Sequence, residues 1–159
     1  MNRIRKPFTV LVADDDDDDR SLIRRALDKG GVVDDLRFVK DGEELTDYLN
    51  RAGRYSGSIP PPRPGLILLD LNMPRKDGRE ALREIKANPE LRQIPVVVLT
   101  TSRAEEDINR SYELGASSYI GKPNTFGALV DALNVVGEYW TDIVPSPPGD
   151  HPSVIIPTK

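Results

Sequence analysis

The chain has 159 residues, of which 38% are hydrophobic, so it is about one domain in length and can bury a core. It contains no cysteine, which excludes disulfides, thiolate zinc sites and cysteine nucleophiles and fits a reducing, cytoplasmic compartment. Its net charge is -4, its basic residues are scattered, and no apolar stretch approaches the roughly 20 residues that span a bilayer. We therefore expect a cytoplasmic protein that binds neither nucleic acid nor membranes.

The first part of the chain predicts a strand, a helix and a second strand. A short apolar run at 10–12 is typical of a buried parallel strand. Apolar residues then recur at helical spacing as far as the two glycines at 30–31, which predict the end of a helix. The run at 36–39 is short and contains Arg37, which suits an edge strand.

The middle of the chain predicts two helices on either side of a third strand. Asp41 followed by Glu44 resembles a capping box, so a second helix is expected to begin there. The segment 56–65 is rich in proline and predicts a long loop, because proline removes hydrogen-bond donors and disfavours a helix before it. A fully apolar run at 66–69 predicts the third strand, and a third helix is expected to end before Pro89.

The same alternation occurs twice more in the last part of the chain. A strand is predicted at 96–99, and Ser102 with Glu105 predicts a capping box at the start of a fourth helix. A fifth strand at 119–120 precedes a fifth helix that begins after Asn124. Right-handed crossovers between these units favour an α/β fold, with a doubly wound five-stranded parallel sheet in the flavodoxin-like order 2-1-3-4-5.

Polar side chains stand at or just after the ends of four predicted strands. The carboxyl ends of parallel strands meet at one crevice of an open sheet, so we expect these side chains to converge there. Carboxylates, a hydroxyl and an ammonium in one crevice suit a phosphoryl group and a divalent metal, and hard oxygen ligands favour Mg²⁺. The residues are Asp14 and Asp15, then Asp70, Thr100 and Lys122.

Asp70 closes the central strand and is therefore a candidate nucleophile toward phosphorus, forming an acyl phosphate. An aspartate that only caps a loop is the alternative. Asp14 and Asp15 are expected to crowd the charge of Asp70, and a bound cation would relieve that repulsion. The rest of the acidic run, Asp16 to Asp19, is expected to cap the first helix and to interact with its dipole.

In combination, these motifs resemble response-regulator receiver domains, which have a CheY-like fold. The segments that carry the resemblance are 12–15, 68–74, 77–78, 99–102 and 115–123. The resemblance implies a receiver domain at 8–140, preceded by an N-terminal extension at 1–7. A proline-rich C-terminal tail follows at 141–159.

The resemblance assigns the metal side of the site by position. Asp70 is the expected phosphoacceptor. Asp15, Asp70 and the backbone carbonyl of Asn72 are the expected ligands of Mg²⁺, and Asp14 is expected to hold water molecules bound to the metal.

The resemblance also implies a switch and a function. Lys122 and Thr100 are expected to bind the phosphoryl group that Asp70 takes from a phosphohistidine of a histidine kinase. Tyr119 is expected to follow Thr100 inward and so to reshape the face formed by the fourth helix, the fifth strand and the fifth helix. The implied function is a single-domain response regulator of a two-component phosphorelay. Such a protein is a phosphoacceptor and not an enzyme, apart from self-catalysed phosphotransfer and slow autodephosphorylation.

A narrower resemblance is to the stand-alone regulators of phytochrome-type histidine kinases. It is carried by the long loop before the third strand, by 75–80 and by Tyr139–Trp140. It implies a red-light sensor kinase as partner, and a histidine phosphotransfer protein is another expected partner. The aromatic pair and the tail are candidate contacts of a homodimer. This dimer would also use the face formed by the fourth helix, the fifth strand and the fifth helix, which we call the switch face. A disordered tail is the alternative.

Three other functions compete with this interpretation. A regulator of the same fold can act as a phosphate-shuttling intermediate. A haloacid-dehalogenase-like phosphatase also forms an acyl phosphate, but it places the nucleophile on its first strand and an acid two residues later, where this chain has Asn72. The third is a flavodoxin-like cofactor binder or a receiver-shaped interaction module with no phosphorylation. It is disfavoured because no glycine-rich loop follows the first strand and all five receiver residues are present.

Overall fold

The structure is a computed structural model that describes residues 8–31 and 33–140. The predicted extension at 1–7 and tail at 141–159 lie outside the described residues. Within the described part there are five strands: β1 (Thr9–Ala13), β2 (Asp35–Val39), β3 (Leu66–Leu69), β4 (Val96–Thr100) and β5 (Ser118–Gly121). The helices are α1 (Asp17–Gly30), α2 (Gly42–Asn50), α3 (Gly78–Ala87), α4 (Glu105–Glu113) and α5 (Phe126–Glu138), with a 3-10 turn at Gly53–Tyr55.

The strands form one parallel sheet in the order β2-β1-β3-β4-β5, as the sequence predicted. Ala13 at the end of β1 pairs with Leu69 at the end of β3, and Leu69 pairs with Val98 in β4. The residues that follow β1 and β3 therefore leave the sheet side by side.

Side chains on the two faces of the sheet build two core layers. One layer lies under α2 and α3, where Leu11 and Leu69 pack with Leu82. The other lies under α1 and α5, where Val12 packs with Leu133. Because helices cover both faces, every residue of β1, β3 and β4 is buried, which explains why these strands are nearly continuous apolar runs.

Local capping begins the first two helices where the sequence predicted. The Asp16 carboxylate accepts a hydrogen bond from the Asp19 N–H. At the other end of α1 the C-cap is Gly31, whose φ of 71° is in the left-handed region that favours glycine. The Asp41 carboxylate accepts from the Glu44 N–H at the start of α2. These caps fix how the chain leaves β1 and β2.

The capping box predicted at Ser102 and Glu105 is wrong. The N-cap of α4 is Ala104, which makes no capping bond with its side chain. Ser102 lies two residues earlier, where its hydroxyl donates to Asp107 at 2.6 Å and accepts from the Ala104 N–H at 3.3 Å. The carboxylate of Asp107 thus attracts the hydroxyl that the sequence pattern assigned to the helix backbone.

No helix in the described ranges is both long enough and apolar enough to cross a membrane.

Candidate functional site

Three carboxylates converge at the carboxyl end of the sheet. Asp14 and Asp15 follow β1, and Asp70 follows β3. One oxygen from each of the three lies within 4.8 Å of the others. Asp14 and Asp70 are buried, with 1% and 7% of their surface exposed, whereas Asp15 is exposed. Like charges this close repel, so the cluster favours a cation beside it.

The carboxylate of Asp70 is held from both sides. Its Oδ1 accepts a hydrogen bond from the Thr100 hydroxyl at 2.8 Å and from the Asn72 N–H at 3.2 Å. Its Oδ2 accepts from the Lys122 ammonium at 3.2 Å. The structure therefore brings together Asp70, Thr100 and Lys122, as the sequence predicted.

The loop after β3 passes close to the backbone of Asp70. The Gly78 N–H donates to the Leu71 carbonyl at 2.9 Å, and a Cβ at Gly78 would overlap the carbonyl oxygen of Asp70. The neighbouring Asp77 caps α3 by accepting from the Arg79 N–H at 2.7 Å. A glycine is required at this position because its backbone lies against the backbone of Asp70. This close contact restricts the position of the Asp70 backbone.

Lys122 donates to three carboxylates at once. Its Nζ lies 2.8 Å from Asp14 Oδ2, 2.7 Å from Asp19 Oδ2 and 3.2 Å from Asp70 Oδ2. An ammonium has three N–H donors, so each has an acceptor. Burial by itself lowers the pKa of Lys122, but the hydrogen bonds to Asp14 and Asp19 outweigh it and raise that pKa above its usual range. The group is a permanent positive charge at neutral pH.

The buried position of Asp14 is unfavourable for the charged form of its carboxylate. Burial raises its pKa above the usual value, although the hydrogen bonds from Lys122 and from the Asp16 N–H act in the opposite direction. The carboxylate is thus less well solvated than it would be in the unfolded chain. A cation added to the crevice would offset this.

Asp19 is the residue of the crevice that the sequence analysis missed. The capping role predicted for the run Asp16 to Asp19 is confirmed at Asp16, but the side chain of Asp19 turns towards Lys122. The helical spacing of the sequence could have indicated this position, because Asp19 lies four residues before Ile23 and seven before Ala26, on the buried side of α1. A carboxylate on that stripe, next to the crevice, needs a cationic partner.

Tyr119 lies outside the acidic crevice. Its hydroxyl donates to the Ser102 carbonyl at 2.9 Å, in the loop that follows Thr100. The Ser102 hydroxyl donates to Asp107 on α4, and the Arg79 guanidinium donates to the same carboxylate at 2.8 Å. The half-buried Tyr119 therefore connects the end of β4 to α4 through the loop between them.

Comparisons with known proteins identify the same architecture. The family model described as the response regulator receiver domain matches residues 10–134. Response regulator Rcp1 of Synechocystis is 40% identical over 89% of this chain and 94% of its own length. Its Mn²⁺-bound crystal structure has a TM-score of 0.80, with 89% of this chain and 99% of that chain covered.

Two other solved structures are similar over the same extent, 89% of this chain and 99% of theirs. The phosphorylated cyanobacterial phytochrome response regulator RcpA is 39% identical, with a TM-score of 0.81. The response regulator RPA3017, from red light signalling in R. palustris, is 34% identical, with a TM-score of 0.83. These matches support a signalling protein and not the phosphatase alternative. This chain belongs to the response regulator receiver domain family.

Proposed function

We propose that Asp70 is the phosphoacceptor of this response regulator. An oxygen of the Asp70 carboxylate attacks the phosphorus of a phosphohistidine, the P–N bond breaks, and its electron pair remains on the imidazole. The observation that carries the proposal is the position of Asp70, between the hydroxyl of Thr100 and the ammonium of Lys122. These two donors are placed to bind the oxygens of a transferred phosphoryl group.

The acidic cluster fits a divalent cation. Asp15, Asp70 and the backbone carbonyl of Asn72 would hold Mg²⁺, with Asp14 accepting hydrogen bonds from its water molecules. The convergence of three carboxylates supports this, as does the Mn²⁺-bound form of Rcp1. When bound, the metal supplies positive charge that neutralises the transferring group.

We propose that Thr100 and Tyr119 carry the signal away from Asp70. The hydroxyl of Thr100 moves from Asp70 Oδ1 to a phosphoryl oxygen, which draws the end of β4 towards the crevice. That movement shifts the loop whose carbonyl, at Ser102, accepts from Tyr119. The face formed by α4, β5 and α5 then changes shape. These helices carry two exposed hydrophobic residues, Tyr112 on α4 and Val135 on α5, which are candidates for contact with a partner.

A sensor histidine kinase of the phytochrome type is the partner that the similarity to RcpA favours. A histidine phosphotransfer protein offers the same phosphohistidine chemistry. A homodimer through the switch face and the tail at 141–159 is part of the proposal. Tyr139 is 46% exposed and can take part, whereas Trp140 packs against the core of its own domain. A cytoplasmic location suits partners of this kind.

A small phosphodonor such as acetyl phosphate tests the proposed chemistry. With Mg²⁺, the full chain should gain one phosphoryl group that hydroxylamine removes, and chelation of the metal should prevent the gain. The variant Asp70→Asn should gain none. Asp77→Asn is the matched control, since it changes a carboxylate of the same loop and keeps a capping side chain. Equal labelling of the Asp70→Asn variant would overturn the proposal.

A further inference from the structure

Asp19 has no role in the chemistry proposed above, yet it makes the shortest of the three contacts to Lys122. Its Oδ2 lies 2.7 Å from the ammonium, against 2.8 Å for Asp14 and 3.2 Å for Asp70. It stands in the first turn of α1, and its side chain is 34% exposed. It does not belong to the group of carboxylates that can share a metal, which is Asp14, Asp15 and Asp70.

The three carboxylates that contact Lys122 differ in how phosphorylation and metal binding affect them. Asp70 loses a free carboxylate when an oxygen of it becomes bonded to phosphorus. Asp14 lies in the acidic cluster, where a metal with its water molecules competes with Lys122 for its oxygens. Asp19 is not phosphorylated and lies outside this cluster, so its oxygens stay free for Lys122 before and after transfer.

Asp19 is itself well placed to act as a fixed anchor. Its backbone N–H donates to Asp16 Oδ1 at 2.9 Å, so its turn of the helix is capped. Beside its contact with Lys122 lies a small cleft with apolar walls formed by Leu22, Leu99 and Leu129. Asp19 and Lys122 both line this cleft, so loss of the Asp19 side chain would leave the ammonium with two acceptors and with more space beside it.

We propose that Asp19 is a positioning residue that holds the Lys122 ammonium beside Asp70 and thereby speeds phosphoryl transfer. The inference rests on the proposed role of Lys122 as the cation that binds the phosphoryl group. One N–H of the ammonium stays on Asp19, and the other two remain directed into the crevice. Transfer then begins with the cation already in place.

The test is the rate of phosphorylation of the full chain at saturating acetyl phosphate and Mg²⁺. Asp19→Ala should slow it by about tenfold, the effect of losing one hydrogen bond to a charged group. Asp19→Asn should keep most of the rate, because the carboxamide oxygen still accepts from Lys122. Asp18→Ala is the matched control, since it removes an exposed carboxylate from the same turn, and its rate should stay within about twofold of wild type.

A double-mutant cycle separates positioning from a merely structural effect. If Asp19 acts through Lys122, then Asp19→Ala should have no further effect on the rate in a Lys122→Ala background. An unchanged or faster rate for Asp19→Ala would overturn the inference. It would also be overturned if Asp19→Ala slowed the wild-type and the Lys122→Ala proteins by the same factor, or if Asp18→Ala slowed the reaction as much as Asp19→Ala. Failure of the wild-type chain to label at Asp70 would instead overturn the proposed function, and this inference with it.

Discussion

At the scale of single residues, the crevice is a cluster of negative charge organised around one lysine. Lys122 contacts Asp14, Asp19 and Asp70, and Asp15 adds a further carboxylate that is exposed. Three of these carboxylates form the candidate metal cluster, and two of those three are buried. Such crowding suits an anion-transfer site that works with a cation, and it works against stability when no cation is bound.

Replacement of Asp14 should show this conflict between function and stability. Asp14→Asn removes a buried charge and keeps one oxygen, which can accept either from Lys122 or from the Asp16 N–H, because these two donors bind different oxygens of Asp14. We expect thermal unfolding at pH 7 in a chelating buffer to occur a few degrees higher than in wild type.

The same pair of proteins should respond differently to metal. Added Mg²⁺ should raise the unfolding temperature of wild type more than that of Asp14→Asn, because the variant has less charge to neutralise. Asp28→Asn, at an exposed position of α1, is the control and should respond as wild type does. A lower unfolding temperature for Asp14→Asn in the chelating buffer would contradict this account.

At the scale of elements, α4 is held mainly by polar contacts. Among its residues, Ser111 is the buried one. The carboxylate of Asp107 accepts from Ser102 at 2.6 Å and from Arg79 on α3 at 2.8 Å. A helix with so little buried apolar surface can shift at small cost, which suits the proposed switch face.

Loss of the Asp107 carboxylate should loosen this helix. Asp107→Ala should lower the free energy of unfolding by about 1 kcal/mol, in the range of a part-exposed, hydrogen-bonded ion pair. The hydrogen bonds from Ser102 and Arg79 lower the pKa of Asp107, so its contribution is present above the unfolded value near pH 4. It is lost as the pH falls through the lower folded value.

Urea unfolding of wild type and Asp107→Ala at several pH values measures this contribution. The difference should be full at neutral pH and should shrink in acid. Glu106→Ala, which removes an exposed neighbour in the same turn, should have little effect. A difference that persisted unchanged into strong acid would show that the ion pair is not its source.

Two glycines provide a matched test of the loop that carries Asp70. Gly78→Ala places a methyl group against the Asp70 carbonyl and should destabilise the protein by about 1–3 kcal/mol and slow phosphorylation. Gly127→Ala, in the exposed first turn of α5 with open space around it, should stabilise by about 0.4–1 kcal/mol. Urea unfolding measures both. Equal effects would refute the close approach at Gly78.

The elements that the sequence predicted well are those in which one strong pattern dominates. Apolar runs in β1, β3 and β4 required burial on both faces, and that burial is what the parallel sheet provides. The capping box predicted at Ser102 is absent because the Ser102 hydroxyl donates to Asp107, a residue that the capping-box pattern does not include. Asp19 was missed because its partner is 103 residues away in the chain, and helix capping already explained it.

At the scale of the whole molecule, the connection between β4 and α4 links the carboxylate of Asp70 to the proposed switch face. Thr100 ends β4 and contacts Asp70, and Ser102 accepts from Tyr119 on β5. The strand order and the gathering of Asp70, Thr100 and Lys122 followed from the sequence. The contact of the Tyr119 hydroxyl with the Ser102 carbonyl could not be predicted from the sequence, because it depends on the path of a loop that local sequence patterns do not specify.

The proposed homodimer is tested by removal of the tail. A chain that ends after residue 140 should self-associate at least about tenfold more weakly than the full chain, a change of about 1.4 kcal/mol. Light scattering coupled to gel filtration, over a range of concentrations and with and without phosphodonor, measures it. Identical self-association of the two forms would exclude a role for the tail in assembly.

The most direct test of the central claim locates the phosphoryl group on the chain. The full chain is phosphorylated with acetyl phosphate and Mg²⁺ and reduced with borohydride, which converts a phosphorylated aspartate to homoserine. Peptide mass spectrometry then finds the altered residue. We predict the change at Asp70 and at no other residue of the acidic crevice. Modification at Asp14 or Asp15 with Asp70 unaltered, or a phosphoester on serine or threonine, would contradict the account.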